Sequence, residues 1–199
     1  MQRHSACILI SGCLVGWRCN FRGETSRIWL AGGFSEPLTQ GRAEGFVFLP
    51  VCPEQLGGLP TPRCPSELVP PSHSSGAGNQ VQVRTNEGLD VSAAFVKGAE
   101  EVLHLVRLFP VCLAILKDGS PSCGSTQIHG GRFDGSMVAG MGVCARRLQE
   151  EGIPILEERT FQTLWQRFGS IDKVMNCTPE FPREQTIRCE KRRTKQSQG

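Results

Sequence analysis

The sequence predicts an α/β domain of three layers, Rossmann-like, in which a mostly parallel sheet lies between two layers of helices. Two observations predict this class. Four short apolar runs have the length of buried strands, and patterns with helical periodicity lie between them. Strands that alternate with helices are typical of parallel sheets. With 199 residues, 39% of them hydrophobic and 21% charged, the chain is long enough to bury a core.

The predicted strands are continuous apolar runs, as expected of strands covered on both faces. They comprise residues 6–10, 46–51, 111–116 and 153–156. No apolar run approaches the roughly 18 residues that a membrane-spanning helix needs. We therefore expect no membrane partner.

Three helices are predicted between and after these strands. The longest covers residues 90–109, with Asp90 or Ser92 as its cap, and the others cover 141–151 and 160–168. Residues 20–45 should contain the first crossover, but glycines and a proline interrupt them, so we expect at most two short helical pieces. Residues 81–91 predict a small hairpin, and residues 70–80 a flexible loop.

The positive charge is concentrated at the carboxyl terminus. The chain carries a net charge of +3, and residues 188–199, RCEKRRTKQSQG, contribute +4, so the rest is close to neutral. We predict one domain over residues 1–175 and a basic, flexible tail over 176–199. Nucleic acid is not expected to bind the folded domain, although the tail is also compatible with an RNA contact.

The chain has 10 cysteines, for which three explanations compete: secreted disulfides, a metal or cluster site, and buried thiols. The apolar stretch before Cys13 is shorter than the roughly 7–15 residues of a secretory signal. The sequence contains no Cys-x-x-Cys pair of the kind that would indicate a structural zinc site. These observations favour a cytoplasmic protein with free thiols. Cys7 and Cys112 within strands and Cys144 within a helix are expected to be core residues.

Three other cysteines follow three of the predicted strands. Cys13 comes after the first, Cys52 ends the second and Cys123 follows the third. The carboxyl ends of parallel strands meet at one edge, where ligands bind. Three converging thiolates predict an iron–sulfur cluster with one open iron or a catalytic zinc with an open position. Three buried thiols without a ligand are the alternative.

Polar residues beside these cysteines are candidates for catalysis. Glu54 lies two residues after Cys52, where it would act as a proton shuttle or simply as an acid at a helix start. Ser120 and Ser122 would hold a substrate or shape the turn. Lys117 and Asp118 are expected to form a surface pair.

Several motifs resemble those of one bacterial family, whose characterised members are thiouracil desulfurases. They are ILISGCLVG, LPVCPEQLGGLPTPRCPSE, DVSAAFVKGAEE and AILKDGSPSCGS, followed by a Gly-rich segment with its helix, and they cover roughly residues 6–160. The resemblance implies a [4Fe–4S] cluster held by Cys13, Cys52 and Cys123, with the fourth iron free to bind substrate sulfur. It also implies that Glu54 and a serine, Ser122 or Ser120, assist the reaction.

The resemblance implies an enzyme that removes sulfur from thiolated nucleobases such as thiouracil and releases it as hydrogen sulfide, without a redox change of the cluster. A zinc-dependent hydrolase that uses the same three thiolates, and a non-enzymatic cluster- or metal-binding accessory protein, are the alternatives. The chain departs from the family in its first loop, where Phe21 and Arg22 replace a tyrosine and an acid. Substrate preference is expected to depend on this loop.

Overall fold

The computed structural model describes residues 6–30, 33–69 and 82–177 of the chain. Eight strands and seven helices lie in these ranges. The strands are β1 (Ala6–Ser11), β2 (Phe46–Val51), β3 (Ser66–Val69), β4 (Gln82–Thr85), β5 (Val111–Leu116), β6 (Gln127–His129), β7 (Met137–Ala139) and β8 (Ile155–Glu157). The helices are α1 (Arg27–Leu30), α2 (Ser35–Ala43), α3 (Pro53–Leu56), α4 (Ser92–Leu108), α5 (Val143–Glu150), α6 (Glu158–Phe168) and α7 (Ile171–Cys177).

A four-stranded sheet with the order β2-β1-β5-β8 forms the centre, and all its strand pairs are parallel. The four predicted strands are confirmed. The last one begins at Ile155 rather than at 153, and the backbone carbonyl of Pro154 still accepts a hydrogen bond from the Ala114 amide. Proline lacks an amide hydrogen, so its place is the start of a strand.

Two hydrophobic cores cover the two faces of this sheet. Side chains alternate along β1, so Cys7 and Leu9 face one core while Ile8 and Ile10 face the other. The first core is closed by α4 and α5, and the second by α6, α7 and Phe34. The predicted three-layer α/β class is therefore confirmed. Every residue of β1 and β5 is buried, which explains their continuous apolar sequences.

The first crossover consists of two short helices, α1 and α2, as the glycine and proline interruptions predict. The chain also turns at the predicted point near Gly88, where Thr85 accepts the Gly88 amide and a bridge joins Arg84 to Asp90. The main partner of β4, however, is the antiparallel strand β3, which the sequence analysis does not predict. The predicted loop at 70–80 lies outside the described residues.

Two further elements lie where the sequence predicts none. The Gly-rich segment forms the antiparallel pair β6–β7, and α7 packs Ile171 and Val174 into the second core. The first two residues of the predicted tail complete α7, and its remainder lies outside the described residues. In the described part of the chain, no helix is both long enough and apolar enough to span a bilayer.

Candidate functional site

The three cysteines that follow strands lie at one edge of the central sheet. Cys13 belongs to the 3₁₀ helix Gly12–Val15 directly after β1, Cys52 separates β2 from α3, and Cys123 lies in the loop after β5. β1 and β2 end at the same level because Ser11 pairs with Val51. The carboxyl ends of the strands thus bring all three cysteines to one edge of the sheet.

A fourth cysteine, Cys19, lies among them. Its thiol forms hydrogen bonds with the thiols of Cys13 and Cys52, while Cys52 and Cys123 interact electrostatically. Cys19, Cys52 and Cys123 are buried, and Cys13 is half-buried. We call these four residues the thiol cluster. The sequence analysis does not include Cys19 among the candidate ligands.

Burial and mutual contact favour the protonated form of three thiols of this cluster, those of Cys19, Cys52 and Cys123. The hydrogen bond with Cys13, together with burial, raises the pKa of Cys19 to about 12. The hydrogen bond with Cys19 and burial raise the pKa of Cys52 well above its usual range. Burial raises the pKa of Cys123 to about 12, although a hydrogen bond with Ser11 opposes it. Metal binding at this site therefore has to displace protons.

Glu54 lies beside the thiol cluster and is held by an arginine. Its carboxylate accepts a hydrogen bond of 2.6 Å from Nε of Arg63, and the two side chains are only 13% and 5% exposed. Nη2 of Arg63 also donates to the Cys19 carbonyl at 3.0 Å and lies 4.0 Å from Sγ of Cys52. The sequence analysis did not identify Arg63, although the residue lies in the PTPR block nine positions after Glu54.

Close contact between α3 and α4 fixes the position of Cys52 and Glu54. A Cβ at Gly98 would collide with the Pro53 carbonyl oxygen, and a Cβ at Gly57 would collide with the Ala94 carbonyl. Only glycines allow this approach, because any side chain would separate the two backbones. The two glycines therefore determine how far α3 lies from the core helix.

The two candidate serines have different surroundings. Oγ of Ser120 accepts hydrogen bonds of 3.1 Å from the backbone amides of Ser122 and Cys123, so this side chain shapes the loop that carries the cysteine. Ser122 is fully buried, and its hydroxyl has no hydrogen-bond partner within the described residues. A buried hydroxyl without a partner is uncommon and requires an explanation.

Asp118 organises the rest of this loop from the inside. Its side chain accepts hydrogen bonds from the backbone amides of Ser125, Thr126 and Gln127 and from the Thr126 hydroxyl. Burial tends to raise the pKa of Asp118, but these hydrogen bonds outweigh it and lower the pKa. The expected surface pair is wrong, because Asp118 is only 8% exposed and Nζ of Lys117 binds the buried Glu158 at 2.9 Å.

The loop that departs from the family pattern lies directly against this site. The Phe21 carbonyl accepts a hydrogen bond of 2.8 Å from the Arg63 amide, and the Asn20 side chain accepts the amides of Arg22 and Glu24. The guanidinium of Arg22 lies 5.2 Å from the centre of the Phe21 ring. Phe21 thus contacts Arg63 through its backbone, and Arg22 lies over the Phe21 ring, although the effect of both on substrate preference stays a prediction.

The remaining cysteines are separate from the thiol cluster. Cys7, Cys112 and Cys144 are buried in the two cores, as predicted. Cys64 is half-buried and contacts the Glu87 carboxylate. All nine cysteines in the described ranges are free thiols, and the tenth, Cys189, lies outside those ranges.

The donor set fits an iron–sulfur cluster. Among the described residues, no three His, Cys, Asp or Glu side chains are grouped to hold a single metal ion. A [4Fe–4S] cluster has a different geometry, because each thiolate binds a different iron and the ligands surround a cube. Two buried thiols and one half-buried thiol lie on three segments that follow strand ends, and they match that requirement. Gly12, Gly124 and the Ser122 hydroxyl, which has no hydrogen-bond partner in the described residues, lie beside them.

Fold and site together define an α/β protein with a cluster of thiols at the carboxyl edge of a parallel sheet. The family model described as 2-thiouracil desulfurase matches residues 8–160. The chain belongs to this family.

Two similar proteins are consistent with this membership. A Bacillus subtilis (strain 168) protein, uncharacterized protein YbbK, is 32% identical over 151 residues, which are 76% of this chain and 95% of the relative. A solved structure, the [4Fe-4S]-dependent thiouracil desulfidase TudS (DUF523Vcz), has a TM-score of 0.65 and 35% identity. The match covers 83% of this chain and 99% of that chain.

Proposed function

We propose that this chain is a [4Fe–4S]-dependent enzyme that removes sulfur from thiolated nucleobases such as thiouracil by hydrolysis. The observation that carries this proposal is the convergence of Cys13, Cys52 and Cys123 at one sheet edge, beside the buried Glu54. Family membership and the similarity to TudS support it. In the net reaction, water replaces sulfur at the thiocarbonyl carbon, and hydrogen sulfide leaves.

Cys13, Cys52 and Cys123 would hold the cluster, one thiolate to each of three irons. When bound, the cluster supplies one open iron, a Lewis acid that binds the substrate sulfur and polarises its bond to carbon. The three cysteines come from three different strand ends, so the sheet fixes their spacing before any ligand binds. This arrangement lowers the entropic cost of assembling the site.

Glu54 would accept a proton from the attacking water, and the proton would then pass to the departing sulfur. Arg63 holds the carboxylate by a hydrogen bond to one oxygen, Oε2, at 2.6 Å. Oε1 accepts no hydrogen bond from the described residues and is therefore the atom that we propose as the base. The net reaction moves protons but no electrons, and it needs neither an oxidant nor a reductant.

Ser122 would bind the nucleobase, because its hydroxyl is both donor and acceptor and makes no protein hydrogen bond in the described residues. Ser120, the other candidate, is engaged with two backbone amides and would position the loop. We also propose a cytoplasmic location, since free thiols and an exposed iron persist in a reducing compartment. An RNA contact by the basic tail stays a prediction and involves residues outside the described ranges.

Turnover of 2-thiouracil by anaerobically purified protein tests this function. We expect uracil and sulfide to form in equal amounts, with no reaction by Cys123→Ala and an unchanged rate for Cys64→Ala, whose thiol lies outside the cluster. Hydrolysis by protein that contains zinc and no iron would instead identify a zinc-dependent hydrolase. A loaded iron site that neither binds nor converts thiolated bases would indicate an accessory protein.

A further inference from the structure

Cys19 lies inside the thiol cluster, yet it is outside the set of three cysteines proposed as ligands. It is only 3% exposed, and its thiol contacts those of Cys13 and Cys52. Its backbone is also held at the site, because its carbonyl accepts hydrogen bonds from Arg63 at 3.0 Å and from the Cys52 thiol at 3.5 Å. These contacts hold the Cys19 backbone at the site.

The local sequence leaves room for this thiol. Gly12 has no side chain, and a Cβ at that position would lie 3.4 Å from Sγ of Cys19 and 2.7 Å from the Trp17 ring. The chain then reverses at Gly16, whose φ of +97° suits glycine. These two glycines bring Cys19 back against the strand end that carries Cys13.

We propose that Cys19 is a fourth protein ligand of the cluster in the substrate-free enzyme, binding the iron that the substrate sulfur occupies during turnover. This inference rests on the proposed function. Four cysteine thiolates are the usual ligand set of a [4Fe–4S] cluster, and the thiol cluster contains four cysteines. Cys19 thereby closes the open iron until a substrate arrives.

The exchange of ligands balances without electron transfer. Ligation replaces the S–H bond of Cys19 by an S–Fe bond and releases the proton to solvent. The incoming substrate thiolate breaks that bond, and the Cys19 sulfur regains a proton. The negative charge that the Cys19 thiolate adds to the site lies near the Arg63 guanidinium, which is 4.0 Å from Sγ of Cys52.

Oxidation of the reconstituted protein with ferricyanide, in the absence of substrate, tests the proposal. An iron without a protein ligand is lost first, and the resulting [3Fe–4S] cluster has a characteristic electron paramagnetic resonance signal. We expect the unaltered protein and Cys64→Ala to keep all four irons. Cys19→Ala should lose one iron per chain and develop the [3Fe–4S] signal. We also expect Cys19→Ser to retain the cluster with a changed visible spectrum, because oxygen replaces sulfur at one iron.

Two results would overturn the proposal. The first is ready formation of [3Fe–4S] by the unaltered protein, which requires no variant to fold. The second is a Cys19→Ser spectrum identical to that of the unaltered protein. Both leave the proposed function intact, because the cluster is present. Absence of iron from the unaltered protein would instead contradict the function and this inference together.

Discussion

Nε of Arg63 lies 2.6 Å from a carboxylate oxygen of Glu54, and both side chains are almost completely buried. Nη2 of the same guanidinium reaches the Cys19 carbonyl. One arginine therefore connects the proposed base to the loop that completes the thiol cluster. A buried pair of this kind is costly to break, because the remaining charge has no partner.

Replacing this arginine should affect both turnover and stability. We expect Arg63→Met to lower the free energy of unfolding by about 3 kcal/mol, because it leaves the Glu54 carboxylate buried and unpaired. We also expect kcat to fall at least about tenfold, in the range typical of a misplaced general base. Arg107→Met is the matched control, since its ion pair with Glu151 is exposed to solvent and its loss should leave stability almost unchanged.

A double substitution shows whether Arg63 acts through Glu54. If it does, adding Arg63→Met to Glu54→Gln should lower kcat no further, although each single change lowers it. The measurement is a double-mutant cycle in kcat for 2-thiouracil. Additive losses would contradict the positioning role.

The two serines should respond in opposite ways. Ser122→Ala removes a buried hydroxyl without a recorded partner, so we expect thermal stability to be unchanged or slightly raised while turnover falls. Ser120→Ala removes the acceptor for two backbone amides and should lower stability by about 1–2 kcal/mol. Measuring both thermal unfolding and turnover for each variant distinguishes the roles of the two serines. Equal turnover of Ser122→Ala and the unaltered protein would assign the hydroxyl no part in the reaction.

The contact between α3 and α4 should not tolerate a methyl group at Gly98. Gly98→Ala forces the Pro53 carbonyl away, so we expect a loss of about 1–3 kcal/mol by overpacking. Because Pro53 lies between Cys52 and Glu54, we also expect incomplete cluster loading. Lys97→Ala, at the exposed neighbouring position, is the control and should change stability by less than about 0.5 kcal/mol. A full complement of iron and sulfide in Gly98→Ala would show that this contact does not determine the geometry of the cluster site.

Asp118 should make the stability depend on pH in the acid range. Its pKa is lower in the folded protein than the value of about 3.9 in an unfolded chain. Its contribution is therefore complete above that value and is lost as the pH falls through the folded pKa. At neutral pH, Asp118→Asn should cost about 2 kcal/mol, and this difference should shrink below about pH 4. Urea unfolding of both proteins across this range is the measurement, and a constant difference would refute the prediction.

The central sheet could be predicted because its two inner strands, β1 and β5, are covered on both faces, which leaves continuous apolar runs in the sequence. The helix that follows residue 90 was predictable because one face is apolar at helical spacing. The pair β6–β7 was not predictable, since β7 is exposed throughout and β6 buries only Ile128, which is too little to create a pattern. Strand β3 was missed because its pairing with β4 depends on contacts across residues distant in sequence.

The candidate site was likewise predictable where its residues follow strands and unpredictable where they lie on loops. Cys13, Cys52 and Cys123 could be placed together because each follows a strand, and parallel strands align their ends. Cys19 and Arg63 reach the site from loops, where position depends on turns and tertiary hydrogen bonds rather than on periodicity. Asp118 looked like a surface residue because its partners are backbone amides of its own loop, which side-chain patterns do not reveal.

The metal content of anaerobically purified protein tests the central claim most directly. We predict about four irons and four acid-labile sulfides per chain, as a [4Fe–4S] cluster requires, and their loss from Cys13→Ala, Cys52→Ala and Cys123→Ala but not from Cys64→Ala. A full complement of iron and sulfide in any of the first three variants, or zinc in place of iron in the unaltered protein, would contradict it.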